Sequence, residues 1–253
     1  MVMRRRWARA GLTALAGLLA LAGCGSAPAS RTGPTTSPGA TLAPSSAPAS
    51  TGSADELYAG YLAALRSARS EHYAGTVAFS DGTSVTIDVT ATQTTAHLIA
   101  HTQGIALEEI VAGDRVYQRG GAHGPDWVVL PPAEAVTATA LTMKREADCA
   151  SREHGHLTLG PRTRVGGLLV ATLIDDGRAA GAAPQKAYVT VDPPVRLVRV
   201  MQTGPQTAGG GTDCGHEAGP VAVSAQVEYD RFDSAVQITP PPHPTDLGAG
   251  QTA

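Results

Sequence analysis

The first hydrophobic pattern of the folded part is helical and begins just after residue 52. Its apolar positions recur at helical spacing, which places them on one side of a helix over residues 53–70. Ser53 or Asp55 can cap its amino end, because a hydroxyl or carboxylate accepts hydrogen bonds from the free backbone N–H groups there. The side chains that share the apolar face are Leu57, Tyr58, Tyr61, Leu62 and Leu65.

From residue 73 to residue 130 the hydrophobic pattern changes to a period of two, which is typical of strands. Val85, Ile87 and Val89 alternate with polar residues, and Asp81-Gly82 before them supplies a hairpin turn. The alternation predicts an antiparallel sheet with one apolar and one polar face. Its further strands are predicted at 94–101, 105–112, 115–119 and 126–130.

A helical period returns after Pro131-Pro132, where the alanine-rich segment 133–149 predicts a second helix. Two helices are too few to cover both sides of a sheet of about ten strands, but they can fill its concave side. We therefore predict an α+β fold: a strongly curved antiparallel β-sheet, or half-barrel, with helices covering its concave face. The later strands are predicted at 156–164, 167–175, 186–191, 195–203, 220–230 and 236–238.

The first residues carry the pattern of an export signal. Four arginines precede the uncharged apolar run 12–21, which is too short to span a bilayer, since spanning takes about 20 residues. The tetrad Leu21-Ala22-Gly23-Cys24 resembles the bacterial lipobox. This resemblance implies that residues 1–23 are cleaved off as a signal peptide and that lipid on Cys24 anchors the protein to the cell membrane, on its extracytoplasmic face. The alternative is an ordinary signal peptide that ends near a chance cysteine.

Residues 24–52 consist mainly of Ala, Ser, Thr, Pro and Gly, and Arg31 is their only charged residue. Such a segment cannot bury enough apolar surface to offset its chain entropy, so we predict a disordered tether after the lipidated cysteine. The folded domain is predicted to span 53–242. Residues 243–253 are predicted to form a flexible tail after three consecutive prolines.

Charge and composition narrow the function classes. Without the four arginines of the signal, the chain keeps 15 basic residues against 22 acidic ones, a net charge of −7. Lys144 and Lys186 are its only lysines. A basic stripe for nucleic acid is absent, so nucleic-acid binding is not expected.

Two cysteines, Cys149 and Cys214, remain besides the anchor. In an exported protein a lone pair is most simply a disulfide. The bridge would close a loop of roughly 65 residues, worth about 4 kcal/mol by the chain-entropy estimate. A metal site or a catalytic thiol is the alternative, although neither cysteine lies in a CxxC pair.

Several short phrases lie on the predicted elements: YAGTVAF at 73–79, VAGDRVYQRG at 111–120, WVVL at 127–130, YVTVDPPVRLVRV at 188–200 and VEYDRFDSAVQITPPP at 227–242. With the order of the elements, they resemble the LolA-like carriers, especially the mycobacterial-type LppX/LprG lipoproteins of actinobacteria. The resemblance implies a half-barrel around an apolar cavity for acyl chains, in a protein that binds or transfers lipids or lipidated glycoconjugates in the envelope. No cofactor is expected. The Cys149–Cys214 pair and the glycine-rich segment 204–219 depart from the family pattern.

We predict that apolar strand residues on one face of the sheet line this cavity, with a lipid or glycolipid as the ligand. The choice of face depends on strand register, because a shift of one residue turns every side chain of a strand to the other side. Alternatively, these side chains form a filled core, and the protein is a sensor or interaction module that binds a protein partner. The residues predicted to face the cavity are Val77, Phe79, Val85, Ile87, Val89, Leu98, Leu107, Val129, Val170 and Val200.

No motif in the chain indicates an enzyme, since HExxH and GxSxG are both absent. An envelope hydrolase with an unrecognised site is the weakest alternative. His97 and His101 would share one face of a strand but lie roughly 13 Å apart, too far to share a metal. His154 and His156 could share an ion on a loop, but are more simply exposed polar residues. No metal site is predicted.

Overall fold

The structure, a computed structural model of the chain, describes residues 52–135, 138–179, 181–207, 214 and 221–248. The predicted signal peptide 1–23, Cys24 and residues 25–51 of the predicted tether lie outside the described residues. So do residues 208–213 and 215–220 of the glycine-rich segment, and residues 249–253.

The described residues form a mixed α+β fold built on one curved, open and mostly antiparallel sheet of thirteen strands. The order across the sheet is β13-β6-β5-β4-β3-β2-β1-β12-β11-β10-β9-β7, and β8 pairs with β9 beside β7. Strand β13 runs parallel to β6, and the other pairs are antiparallel. The bounds are β1 Ser70–Phe79, β2 Ser84–Thr92, β3 Thr95–Thr102, β4 Ile105–Ala112, β5 Arg115–Gly120, β6 Val128–Val129, β7 Leu157–Leu159, β8 Thr163–Val165, β9 Leu168–Asp176, β10 Pro184–Thr190, β11 Leu197–Gln202, β12 Ala222–Asp230 and β13 Thr245–Asp246.

The middle of the sheet joins the beginning of the domain to its end, because β1 pairs with β2 on one side and with β12 on the other. Gly75 allows a close approach in this pairing. A β-carbon at Gly75 would lie 2.1 Å from the carbonyl oxygen of Gln226 in β12, which is far inside contact distance. Only a residue without a side chain fits here.

Helix α1 spans Ala54–Ser67 and confirms the predicted first helix. Ser53 caps it: its hydroxyl accepts from the Glu56 N–H at 3.2 Å, and the Glu56 carboxylate accepts from the Ser53 N–H at 2.7 Å. The buried side of the helix includes Tyr58, Tyr61 and Leu65, as its apolar spacing predicts.

The second predicted helix, over 133–149, is divided into three short pieces. They are α2 at Pro132–Ala135, a 3₁₀ turn at Ala138–Leu141 and α3 at Met143–Ala150. Thr142 explains the last break, since both its N–H and its hydroxyl donate to the Thr139 carbonyl oxygen, at 3.3 and 3.1 Å. Threonine side chains that bind nearby backbone compete with helical hydrogen bonds.

Two further differences concern strands. The predicted strand 156–164 is divided into β7 and β8 by Gly160-Pro161, because proline cannot donate to a strand ladder. Residues 236–238 form no strand, and Ile238 instead packs against an apolar cluster of the sheet.

In the segment predicted to be a flexible tail, Thr245–Asp246 pairs with Val128–Val129, and Arg115 binds Asp246.

Helices α1 and α3 pack on one side of the sheet, which we call the inner face. There Val77, Val85 and Val89 belong to the same buried apolar cluster as Tyr61 of α1 and Met143 of α3. The opposite side, the outer face, carries two smaller apolar clusters. Their buried members are Ile110, Tyr117 and Val129 in one, and Val165, Val170 and Val198 in the other.

Cys149 and Cys214 form a disulfide with a Cα–Cα distance of 5.6 Å, which agrees with the predicted pairing. Cys149 lies in α3, so the bridge fastens this helix to a segment 65 residues further along the chain. Among the described residues, no helix has the length and apolar character needed to cross a bilayer.

Candidate functional site

Eight of the ten residues predicted to line a cavity lie on the inner face, within the buried apolar cluster. Val77 and Val89, in neighbouring strands, have no exposed surface. Side chains of α1 and α3 belong to the same cluster, so these residues lie between sheet and helices. The eight are Val77, Phe79, Val85, Ile87, Val89, Leu98, Leu107 and Val200.

Val129 and Val170 lie on the outer face, contrary to the prediction. Val129 pairs with Tyr117, whose neighbour Val116 points inward, and it packs in the cluster of Ile110 and Tyr117. Val170 precedes the inward-pointing Ala171 and packs in the other outer cluster. Consecutive strand residues point to opposite faces, so the assumed register was off by one residue in both strands.

A polar cluster lies inside the apolar interior, where the helices meet strands β1 and β12. We call it the Glu–Tyr cluster, and each of its members exposes at most 4% of its surface. The rings of Tyr73 and Tyr229, paired across β1 and β12, have centroids 5.2 Å apart. The members are Tyr61 from α1, Glu71 and Tyr73 from β1, Glu146 from α3 and Tyr229 from β12.

Few donors reach the two carboxyl groups of this cluster. The Tyr61 hydroxyl donates to Oε1 of Glu146 at 3.0 Å. Oε1 of Glu71 and Oε2 of Glu146 are buried without an N–H or O–H donor, and the Tyr229 hydroxyl is buried without a partner. A proton shared between the two carboxyl groups would give them the hydrogen bond that they otherwise lack. Unsatisfied buried polar groups cost stability and require an explanation.

The electrostatics favour such a shared proton. Burial raises the pKa of Glu71 well above its ordinary value, and the nearby Glu146 carboxylate raises it further. Burial also raises the pKa of Glu146, although hydrogen bonds from Glu71 and Tyr61 oppose this. Burial thus favours the neutral form of both carboxyl groups, and the two titrate as a pair. Burial likewise raises the pKa values of Tyr61, Tyr73 and Tyr229, so these phenols stay neutral.

A small, partly open gap leads to Glu71 between α1 and the start of β11. Its volume is about 10 Å³, about the space that one water molecule needs. The Arg196 guanidinium at this gap lies 4.6 Å from the Phe232 ring and forms an ion pair with Asp233. The route to the Glu–Tyr cluster is thus bordered by an aromatic ring and by a cation that already has a partner.

Two more carboxyl groups are buried on the inner face. Glu109 lies beside Leu98 in the sheet and accepts a 2.5 Å hydrogen bond from Nε2 of Gln118. Burial raises the pKa of Glu109 to about 7. Asp175 accepts a 3.1 Å hydrogen bond from the Gly177 N–H, and burial raises its pKa to about 8. The inner face therefore combines apolar strands with buried carboxyl groups whose pKa values are raised.

Carboxylates of the outer face accept hydrogen bonds from histidine and arginine side chains. Glu108 accepts hydrogen bonds from Nε2 of His97 at 2.8 Å and Nε of Arg119 at 2.6 Å. His72 lies between Asp230 and Asp88, with its ring nitrogens 2.5 and 3.1 Å from their carboxylates. These contacts make ladders of polar side chains across neighbouring strands.

Two of the histidines that the sequence offers as metal ligands make other contacts. His97 binds Glu108, and the His154 ring packs against Tyr58 with centroids 4.8 Å apart. Within the part of the chain that the structure describes, no group of three or more His, Cys, Asp or Glu side chains could hold a metal ion.

A larger open cleft of about 300 Å³ lies where the β2–β3 turn meets the start of α3. Its lining includes Gln93, Thr94, Thr142, Lys144 and Arg145. These side chains are polar or cationic, so this cleft does not suit acyl chains.

Sequence reasoning missed Glu71 and Glu146, although each has a recognisable signal. Glu71 is in phase with Tyr73 and Val77 once strand β1 is extended backwards to residue 70. Glu146 occupies a core position of α3, in phase with the buried Met143 and Ala150. A charged residue at a core position of a periodic pattern is an unusual feature, because isolated charges are rarely buried.

The site can hold one proton, donate and accept hydrogen bonds, and pack against apolar groups. The Tyr61 hydroxyl donates to Glu146, but burial raises its pKa well above the ordinary value, so it stays a neutral phenol in this arrangement. No protein-family model matches this chain. No curated protein matches its sequence either.

Proposed function

We propose that this chain is a lipid-anchored protein of the cell envelope that binds or transfers lipid or a lipidated glycoconjugate without enzymatic chemistry. Acyl chains would lie between helices α1 and α3 and the inner face of a LolA-like half-barrel. The polar part of the ligand would meet the Glu–Tyr cluster.

The position of the Glu–Tyr cluster is the observation that carries this proposal. A core that had only to be stable would place apolar side chains where α1 and α3 meet the sheet. Here the contact includes a carboxyl pair that must retain a proton and a hydroxyl without a partner, and both features weaken it. Interior groups of this kind are typical of functional sites.

The chemistry of the cluster favours hydroxyl groups as its ligands. Protonated carboxyl and phenol groups both donate and accept hydrogen bonds, as sugar hydroxyls do. No cation belongs to the Glu–Tyr cluster, so a phosphate would find no charge partner within it. A glycosylated lipid therefore suits the site better than a phospholipid headgroup does.

A second candidate function is favoured by the tight packing of the inner face. Val77 and Val89 are fully buried, and the gap beside Glu71 holds about one water molecule. If the helices remain in this position, the domain is a sensor or interaction module that binds a protein partner through its surface. Lipid entry requires α1 and α3 to move away from the sheet.

Mass spectrometry of organic extracts from the membrane-purified protein tests the two candidates. Covalently attached lipid on Cys24 stays with the protein, so the extract reports only ligands bound without a covalent bond. We expect co-purified lipid at a constant ratio to protein, and saturable uptake of a fluorescent acyl probe. Absence of both results would reject lipid binding and leave the interaction module.

Matched variants locate the binding. Glu146→Gln in the Glu–Tyr cluster should change which lipids are extracted, whereas Glu108→Gln on the outer face should not. If both variants extract the same lipids as the unmodified chain, the cluster does not contact the ligand. The anchor is tested separately: Cys24→Ser should move the protein from the membrane fraction to the soluble fraction.

A further inference from the structure

The hairpin of β8 and β9 ends in an exposed apolar tip. We call residues 164–169 the hairpin tip; Gly166 and Gly167 form its turn, both with positive φ. Leu168 and Leu169 follow directly and expose 53% and 43% of their surfaces. Burial of large apolar side chains is favourable, so two adjacent exposed leucines in a short turn indicate a contact surface.

The tip projects away from the rest of the domain. A β-carbon built on Gly166 or on Gly167 would have no atom within 4 Å. Leu168 and Leu169 point to opposite faces of the sheet, because they are consecutive residues of β9. The tip therefore presents apolar groups on both of its sides.

The charge next to the tip is positive, although the predicted mature chain is acidic. Arg162 and Arg164 are exposed on the preceding segment, and no acidic residue occurs between residues 154 and 174. The neighbouring hairpin of β10 and β11 brings one acidic residue, Asp192, to this end of the sheet.

We infer that the hairpin tip docks the domain onto an anionic phospholipid membrane. Leu168 and Leu169 enter the boundary between headgroups and acyl chains. Arg164, whose guanidinium donates to the Gly167 carbonyl oxygen at 2.7 Å and is exposed, directs its remaining N–H groups to lipid phosphates. Apolar insertion combined with basic side chains is how peripheral segments bind anionic bilayers. This inference does not depend on whether a lipid binds inside the half-barrel.

The shape of the tip favours a membrane over a protein partner. A protein interface is a patch on one surface, with an apolar centre and a polar rim. Here the apolar side chains point in opposite directions around a free-standing turn, and a fluid surface can surround both of them. Weak docking is sufficient for a domain on a membrane tether, because the tether keeps its local concentration high.

Flotation with vesicles of phosphatidylcholine, prepared with and without phosphatidylglycerol, tests the inference. The protein is the chain from residue 24 onward carrying Cys24→Ser, so that no lipid anchor contributes. We expect binding to the anionic vesicles that weakens with added salt. Leu168→Ser with Leu169→Ser should reduce this binding about tenfold or more, since both apolar insertions are lost.

Ile105 provides the matched control, because it is also exposed, at 41%, but lies at the opposite end of the sheet. Ile105→Ser should leave vesicle binding unchanged. Equal losses in both variants, or no binding of the unmodified chain, would overturn the inference. Concentration-dependent dimers that the leucine variant abolishes, without vesicle binding, would assign the tip to contact with a second copy.

Discussion

Glu108 and Glu109 are neighbours in strand β4, yet their carboxyl groups have opposite surroundings. Glu108 points to the outer face, where partial burial would raise its pKa, but hydrogen bonds from His97 and Arg119 outweigh burial and lower it. Glu109 points to the inner face, where burial raises its pKa to about 7, and its hydrogen bond from Gln118 reduces the shift. One residue of register thus decides whether the pKa of a glutamate lies below or above its ordinary value.

The same contrast holds across the two faces. On the outer face, hydrogen bonds from His72 and Arg231 outweigh partial burial and lower the pKa of Asp230. On the inner face, burial raises the pKa values of Glu71, Glu146 and Asp175. The outer carboxylates accept hydrogen bonds from histidine and arginine side chains, which lower their pKa values, whereas burial raises the pKa values of the inner carboxyl groups.

The two faces therefore respond to pH in opposite directions. An inner carboxyl group with a raised pKa keeps a proton that the unfolded chain releases, so its contribution to the free energy of unfolding is lost as pH rises through the folded pKa. An outer carboxylate with a lowered pKa contributes to the free energy of unfolding above its unfolded pKa, and this contribution is lost as pH falls through the folded pKa. These two opposite pH dependences together predict that the protein is most stable at mildly acidic pH.

Removal of the disulfide should have the largest effect on the inner side. Cys149→Ser with Cys214→Ser removes the link that holds α3, which carries Glu146. Because the unfolded chain then gains entropy, the free energy of unfolding should fall by about 4 kcal/mol. Urea denaturation measures the loss, and amide exchange in α3 should increase. A loss below about 1 kcal/mol would mean that packing alone holds α3 on the sheet.

The neighbouring glutamates allow a direct test of the contrast. Between about pH 5 and pH 9, the unmodified chain should lose about 3 kcal/mol more stability than Glu109→Gln, because the amide has no proton to release. Glu108→Gln is the control and should leave the slope over this range unchanged. Equal slopes for the unmodified chain and Glu109→Gln, measured by denaturation at several pH values, would contradict the pKa assigned to Glu109.

Two tyrosines of the Glu–Tyr cluster should respond differently to loss of the hydroxyl. Tyr61→Phe removes the donor to Glu146 and should destabilise the protein by about 1–3 kcal/mol, since a buried acceptor loses its partner. Tyr229→Phe removes a hydroxyl without a partner and should be neutral or stabilising. Thermal unfolding at fixed pH compares the two, and equal losses would show that the hydroxyl contacts are not the cause.

Asp230→Asn on the outer face should have the smallest effect. Asp230 is largely exposed, so its interaction with His72 is worth less than about 1 kcal/mol at neutral pH. The difference from the unmodified chain should disappear as pH falls below the ordinary aspartate pKa, where the carboxylate is protonated. Denaturation at neutral and strongly acidic pH checks this, and a loss that persists in acid would indicate a packing role instead.

Local patterns in the sequence predict much of the fold but less of the site. The period of two in β2 and the spacing of Tyr58, Tyr61 and Leu65 in α1 were enough to locate these elements, because one of their faces is buried. The side facing inward in β6 and β9 could not be derived, since Val128-Val129 and Val170-Ala171 each offer an apolar residue to both faces.

The Glu–Tyr cluster depends on contacts that no local pattern contains. Glu71 meets Glu146 only because α3 packs over β1, and Tyr229 joins them only because β12 returns to the centre of the sheet. The pKa shifts follow from that assembly, since burial is a property of the folded protein and not of a segment.

The pairing of β1 with β12 also governs how this domain reaches its folded state. Strands β1–β5 can form as consecutive hairpins, and so can β9–β11, because their contacts are local. The two groups join only through β12, whose Asp230 pairs with His72 at the other end of the domain. Pairings between distant segments slow folding, so we expect the sheet to close last at its centre, when nearly the whole chain is present. A chain that ends before residue 222 would leave two half-sheets with exposed edges, which is a form prone to aggregate.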